Sequence, residues 1–176
     1  MSQVIGLSGK ARHGKDTVAS YIASNVQGYA VRKACFADGV KEVARHQGWN
    51  GEKDDAGRTL LQKIGQGKRA EDELYWVKRC WDKIRLDSSP DVVWVIPDVR
   101  YRNEAQFVQA HGGVVWRINR VTPDGSPFDN GLTAEQRLHG SEVDLDDYDS
   151  WDAVIINDTI DNLFDQVSLA IESLQL

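Results

Sequence analysis

Nine residues near the amino terminus, Gly9-Lys10-Ala11-Arg12-His13-Gly14-Lys15-Asp16-Thr17, have the types and spacing to hold a phosphate. Glycines let successive backbone N–H groups curl around an anion without Cβ clashes. A helix starting at the end of such a loop turns the positive end of its dipole toward the same point. Lys15 adds a mobile point charge for terminal phosphates. The G-x-x-x-x-G-K spacing is that of a P-loop, and Gly6, Gly9 and Gly14 lack the G-x-G-x-x-G spacing of dinucleotide-binding folds. The residues that would cradle the phosphates are Gly9, Lys10, Arg12, Gly14, Lys15, Asp16 and Thr17.

Asp16 occupies the position where a P-loop ordinarily carries Ser or Thr. A carboxylate there is a hard oxygen ligand that would hold Mg²⁺ directly or through water. Equally, it is an acid in the first turn of a helix, where the dipole favours it. Thr17 follows with a hydroxyl for the metal or for a phosphate oxygen.

Other candidates lie where strands should end. Val92–Ile96 is a continuous apolar run and is followed by Pro97-Asp98-Val99-Arg100. In open parallel sheets ligands bind beyond the carboxyl ends of the strands, so Asp98 should stand beside the P-loop. Its carboxylate would hold the waters of Mg²⁺ or accept a bond from a substrate. Arg100 would take a phosphate in two parallel hydrogen bonds. Arg117 and Arg120 close a fourth strand and enter a long connection that also contains Arg137, His139 and Glu142. Cations brought in by closure would stabilise charge on a moving phosphoryl group. Between the second and third strands, Asp38, Lys41, Arg58, Gln62 and Arg69 face the region where an acceptor would lie. There Lys41, Arg58 and Arg69 would grip its phosphate. Gln62, donor and acceptor at once, would read a base edge.

These side chains need a scaffold. The sequence predicts strands at Val4–Ser8, Tyr29–Phe36, Val92–Ile96, Gly113–Ile118 and Ala153–Ile156. It predicts helices at Lys15–Asn25, Asp38–Gln47, Arg58–Ile64, Glu71–Leu86 and Arg102–His111, and an amphipathic terminal helix from Ile160 to Leu174. Strands alternating with helices imply an α/β fold, a central five-stranded parallel sheet flanked by helices. One domain over 1–176 is expected, with an acceptor-binding insert at about 37–88 and a mobile lid at about 120–151. A connection as long as the latter is unusual unless functional. The acidic run Asp144, Asp146, Asp147 and Asp149 reads as a solvated face.

Composition narrows the classes. The chain has 176 residues, enough for one sizeable core, and no apolar run long enough to span a bilayer. No signal-peptide pattern is read at its start, so a cytoplasmic location away from membranes is expected. The net charge of −6 argues against a nucleic acid polymer as partner. Cys35 and Cys80 have no metal spacing and read as reduced core residues, and the four histidines are scattered.

Taken together, Gly9–Thr17 with its Gly-Lys-Asp-Thr ending, Phe36-Ala37-Asp38 with Lys41, Gly48-Trp49-Asn50-Gly51 followed by Lys53-Asp54, Arg58 and Leu60-Leu61-Gln62, Asp98–Glu104, His139-Gly140-Ser141-Glu142 and Asn157-Asp158-Thr159 resemble the bacteriophage-type deoxynucleoside monophosphate kinases. The resemblance runs in order along most of the chain. It implies a P-loop kinase fold and transfer of the ATP γ-phosphoryl group to a deoxynucleoside 5′-monophosphate with Mg²⁺, in nucleotide biosynthesis. Lys15, Arg117, Arg120 and Asp98 would then be catalytic, and Asp16, Thr17 and Asp98 would organise the metal. Asp38, Lys41, Arg58, Gln62, Arg69, Arg100, Arg137 and Glu142 would bind the acceptor. The partners would be small nucleotides, in a monomer or homodimer, in the host cytoplasm if the gene is a phage's. Two other readings stay open at this level: a P-loop kinase of another small phosphorylated acceptor, and a non-catalytic nucleotide-binding module.

Overall fold

The computed structural model describes residues 3–52, 54–87 and 89–176. The strands are β1 (Gln3–Ser8), β2 (Ala30–Lys33), β3 (Val92–Val99), β4 (Val114–Arg120) and β5 (Ala153–Asn157). The helices are α1 (Lys15–Asn25), α2 (Phe36–His46), α3 (Asp55–Glu71), α4 (Tyr75–Leu86), α5 (Arg102–Ala110), α6 (Ala134–Arg137), α7 (Gly140–Val143) and α8 (Ile160–Ser173). They divide into two compact units, Met1–Lys33 with Ser89–Leu176, and Ala34–Ser88.

In the first unit all five strands run parallel in the order β2-β3-β1-β4-β5. β1 and β3 are apolar on both faces, as strands inside a parallel sheet must be. Ile5, Leu7, Val93, Val95, Trp116, Ile118 and Ile155 pack against Val18 and Ile22 of α1 and Leu163, Val167 and Ile171 of α8. α5 packs against β1 and β4 outside that cluster. No helix among the described residues is long and apolar enough to cross a membrane.

The second unit is a three-helix group in which α2, α3 and α4 pack pairwise. Its centre is Trp76, 1% exposed, whose indole N–H donates to the Gly65 carbonyl at 3.0 Å. A Cβ on Gly39 would stand 2.9 Å from the Trp76 ring and 2.8 Å from Arg79 Cδ, so the bare backbone of α2 lets α4 approach.

Several boundaries differ from the sequence expectation. The second strand ends at Lys33, and Phe36 is the first residue of α2. Asp38 causes this: its carboxylate accepts the Cys35 backbone N–H at 3.1 Å, a capping interaction that starts the helix early. Cys35 is accordingly only partly buried, whereas Cys80 is buried. α3 is far longer than Arg58–Ile64. Asp54 caps its start by accepting from Gly57 N at 2.7 Å, and Gly65 and Gly67 lie inside it rather than ending it. Glu71 belongs to α3, and α4 begins at Tyr75. The buried face of α4 is Trp76, Val77, Cys80 and Ile84. β3 runs three residues past Ile96. Gly6 pairs with Ile96 but Ser8 with Val99, so two steps along β1 oppose three along β3, and this bulge accommodates Pro97, which has no N–H to give the ladder.

Candidate active site

The P-loop leaves the centre of the first unit's sheet. Ser8, the last residue of β1, pairs with Val99 on one side and Arg117 on the other, so the ends of β3 and β4 flank the loop. Two positions need glycine. Gly9 has φ 152°, and a Cβ there would stand 2.5 Å from the Ile118 carbonyl oxygen. Gly14 has φ 99°, and its Cβ would stand 2.5 Å from the Asn157 side-chain nitrogen. That amide instead donates to the His13 carbonyl at 3.0 Å, tying the loop to the end of β5. Arg12, at φ 63°, takes a left-handed conformation without being glycine.

His13 makes a second tie. Its Nδ1 lies 3.1 Å from the Arg120 backbone nitrogen and 3.3 Å from the Ile118 carbonyl oxygen. The Arg120 N–H can only donate, so Nδ1 accepts and the ring proton sits on Nε2. Burial, reinforced by Lys15, Arg117 and Lys10, holds the His13 pKa below the ordinary imidazole value, in keeping with a neutral ring.

Lys15 is the first residue of α1, whose N-cap is Gly14 in the left-handed conformation with no side-chain cap. The lysine is 8% exposed, and its Nζ donates back to the carbonyls of Gly9 at 2.6 Å and Lys10 at 2.8 Å. Burial lowers its pKa to about 8, with Arg100 and Arg117 pushing the same way and Glu142 and Asp16 opposing. The loop therefore holds an ammonium ion that a nearby anion would stabilise.

The flanking strands contribute the arginines. Arg117 is largely buried; it donates to Ser8 Oγ at 3.3 Å and Asn119 Oδ1 at 3.1 Å, and lies over the Trp151 ring. Arg100 is positioned by buried Glu104, whose carboxylate accepts the backbone N–H groups of Arg100 at 2.8 Å and Tyr101 at 3.1 Å. Arg120 is exposed, lies 4.0 Å over the Phe128 ring and donates to the Arg12 carbonyl at 3.3 Å. Arg137 is held within its own loop by Asp129 at 2.7 Å and the Leu132 carbonyl at 3.0 Å. Beside the P-loop, His13, Asn119, Arg120, Phe128, Asn130 and Ile156 help line a cavity of about 480 Å³.

The segment after β4 folds back onto the loop. Glu142, on α7, accepts the Ala11 backbone N–H at 3.0 Å and pairs with Arg100 at 2.7 Å. Asp146 pairs with Lys10 at 2.9 Å and approaches Arg117 at 3.8 Å. Asp144 accepts the Arg102 backbone N–H at 2.7 Å, and Asp147 takes the Arg102 guanidinium at 2.7 Å. The acidic run is thus not simply a solvated face: three of its four aspartates hold partners on the P-loop, β4 or α5.

As metal donors, Asp16 is 87% exposed and pairs with Lys33 at 2.9 Å, Thr17 is exposed, and Asp98 is half-buried on β3. Among the described residues no three His, Cys, Asp or Glu side chains gather to hold a metal. Mg²⁺ commonly takes one or two protein oxygens and fills its octahedron with phosphate and water, so this sparse set suits an ion that arrives with its phosphates.

Within the second unit, Arg58, Gln62 and Arg69 fall within about 40° of one another around α3 at 100° per residue. Asp38 pairs with Lys41 at 3.6 Å and Lys83 at 3.8 Å. The expectation Lys53, cited for its place in the motif, lies outside the described residues. Four contributors to the first unit's site were not singled out from sequence: His13, Glu104, Asp146 and Asn157. The last opens the Asn157-Asp158-Thr159 motif, and His13 lies within the loop itself, so both had a positional signal. Asp146 had none, because its partners are remote in sequence.

No family model matches the chain. Among curated proteins it is similar to the "Putative deoxynucleotide monophosphate kinase" of Acanthamoeba polyphaga mimivirus, with 27% identity over 97% of this chain and 96% of that one. This relative bears out the resemblance carried by the motifs. Among solved structures it is similar to TT1252 from Thermus thermophilus (TM-score 0.57, 14% identity, covering 99% and 98% of the two chains). It is also similar to the Deinococcus radiodurans tunicamycin resistance protein (0.53, 14%, 97% and 96%) and the shikimate kinase of Aquifex aeolicus (0.50, 14%, 99% and 99%). The fold is that of the P-loop kinases, a five-stranded parallel sheet flanked by helices.

Proposed function

We propose that this chain is an ATP-dependent nucleotide kinase that moves the γ-phosphoryl group of ATP to a deoxynucleoside 5′-monophosphate. The observation that carries the reading is the Gly9–Thr17 loop, whose buried Lys15 has a depressed pKa and whose flanks bear Arg100 and Arg117. The mimivirus relative supports the acceptor class.

In this reading Lys15 turns from the carbonyls of Gly9 and Lys10 to the β and γ phosphates. Lys10 and Arg12 reach the transferred group, and Arg117 and Arg120 neutralise charge as it moves. An oxygen of the acceptor phosphate bonds to the γ phosphorus as the bond from that phosphorus to the bridging oxygen breaks, and the electron pair leaves with ADP. The acceptor oxygen is already anionic, so no general base is needed; positioning and charge stabilisation are the catalysis. Mg²⁺, held through Asp16 or Thr17 with Asp98 on its waters, would neutralise the phosphates. Arg100 and the α3 face of Arg58, Gln62 and Arg69, with Asp38, Lys41 and Arg137, would serve the acceptor.

The test is ADP release from Mg²⁺-ATP with a panel of deoxynucleotides, ribonucleotides and unrelated phosphorylated acceptors. Strong stimulation by one or a few deoxynucleoside monophosphates is expected. Stimulation only by a non-nucleotide acceptor would overturn the substrate class.

The lysine gives a second expectation. Its pKa of about 8 in the empty protein must rise when phosphates bind, because opposite charge favours the ammonium form. At about pH 8.5 roughly three-quarters of the lysine is neutral before binding and charged after, so ATP binding takes up roughly 0.75 proton, against about 0.1 at pH 7. Affinity should therefore fall as pH rises above about 8. Calorimetry in two buffers of different ionisation heat measures the uptake, and none at about pH 8.5 would remove Lys15 from the phosphates.

A further inference from the structure

We propose that α7 and the turn after it form a built-in plug for the phosphate site, in which the Glu142 carboxylate occupies the place of a phosphate oxygen until substrate displaces it. The inference rests on the P-loop being the phosphate site proposed above. Three contacts carry it. A P-loop amide, Ala11 N–H, already has an anionic partner in Glu142 at 3.0 Å. The same carboxylate, its side chain only 8% exposed, takes Arg100 at 2.7 Å. Asp146 engages Lys10 at 2.9 Å. Carboxylates thus satisfy the cations and the amide that a polyphosphate would use, while Lys15 rests on loop carbonyls.

The chemistry of such a plug is selective. A carboxylate and a phosphate oxygen accept the same hydrogen bonds, but the plug is intramolecular and competes at high effective concentration. A single phosphate offers too few contacts to displace it. A ligand with two or three linked phosphates engages Lys10, Lys15 and the Ala11 N–H together and can. Once displaced, Glu142 releases Arg100 for the acceptor, so binding at the P-loop prepares the arginine.

The experiment titrates wild type, Glu142→Gln, Glu142→Asp and Asp146→Asn with pyrophosphate by calorimetry. It also follows hydrogen exchange at Ala11 and at 140–145. Glu142→Gln should bind pyrophosphate about tenfold or more tightly, since a hydrogen bond to a charged group no longer has to be broken. Glu142→Asp is the discriminating variant. It keeps the charge but is one methylene short of spanning Ala11 and Arg100, so it too should bind more tightly. Were the effect only one of net charge, Glu142→Asp would match wild type and the plug would be refuted. In wild type, pyrophosphate should speed exchange across 140–145 while Ala11 stays protected. Weaker binding by both Glu142 variants would also overturn the proposal, making Glu142 a permanent brace of the loop. Asp146→Asn, which leaves Glu142 in place, should show a smaller gain in the same direction; no gain in any variant refutes the plug. Because pyrophosphate needs no acceptor and no turnover, a failed acceptor panel and a failed plug are separate results.

Discussion

Lys15→Ala should lower phosphoryl transfer by about a thousandfold or more while leaving the fold intact. Catalysis of this kind is almost entirely positioning and charge stabilisation, so losing the central cation removes a term that nothing else in the loop replaces. Lys10 and Arg100, once freed from Asp146 and Glu142, serve other phosphates, and Arg117 sits over Trp151 with Ser8 and Asn119 as partners. The fold should survive because the ammonium is not a stabilising feature in the empty protein: its pKa is pushed down to about 8, which means burial disfavours its charge. Its removal leaves the Gly9 and Lys10 carbonyls to water at a cost of about 1–3 kcal/mol, less than the stability of a typical domain. Lys15→Arg should fail nearly as badly, since a planar fork does not replace a compact ammonium between two carbonyls. The measurements are kcat with Mg²⁺-ATP and the thermal midpoint. Turnover near that of wild type would end the P-loop mechanism.

Much of the first unit was legible because its signals are local. The apolar β1, the glycine spacing and the helix-forming stretch of α1 occupy one continuous segment, and each states its own conformation. The adjacency of Asp98 and Arg100 to the loop followed from a general rule of parallel sheets, and the pairing of Ser8 with Val99 gives it a register. The errors have a common cause. Pro97, read as the end of a strand, sits at a bulge that exists only because β1 lies alongside. Gly65 and Gly67 lie inside α3, beyond the Arg58–Ile64 stretch that the sequence predicts, and the carbonyl of Gly65 accepts from Trp76 on another helix.

The charged residues of the site were legible as types and not as partners. Glu142 and Asp146 are an acid in a motif and an acid in a run. What they do depends on Ala11, Lys10 and Arg100, each more than forty residues distant, and on a chain reversal that no periodicity encodes. His13 is a similar case, since its tautomer is set by a backbone N–H at position 120.

Gly9→Ala should be among the most damaging single substitutions outside the core, and a comparison with Gly28→Ala separates its two causes. Both positions have positive φ, 152° at Gly9 and 82° at Gly28. Alanine at either must adopt a backbone that L-residues rarely take, at a cost of roughly 1–3 kcal/mol. Around Gly28 nothing lies within 4 Å, so that is the whole penalty. At Gly9 the new methyl would stand 2.5 Å from the Ile118 carbonyl oxygen, a backbone atom of a buried strand that has no rotamer to change. Either β4 or the loop must move, which adds about 1–3 kcal/mol of the kind seen when cores are overpacked. At about 2–4 °C per kcal/mol for a chain of this size, Gly28→Ala should lose roughly 2–12 °C and Gly9→Ala about twice as much, roughly 4–24 °C. The functional consequence should diverge further. A shift of Gly9 displaces a carbonyl that holds Lys15 and disturbs the His13 tie to β4, so ATP affinity should fall at least about tenfold, whereas Gly28→Ala should bind ATP as wild type does. Thermal melts and ATP titrations of the two variants decide it: equal losses at both positions would mean that the close approach of the loop to β4 is not what requires glycine there.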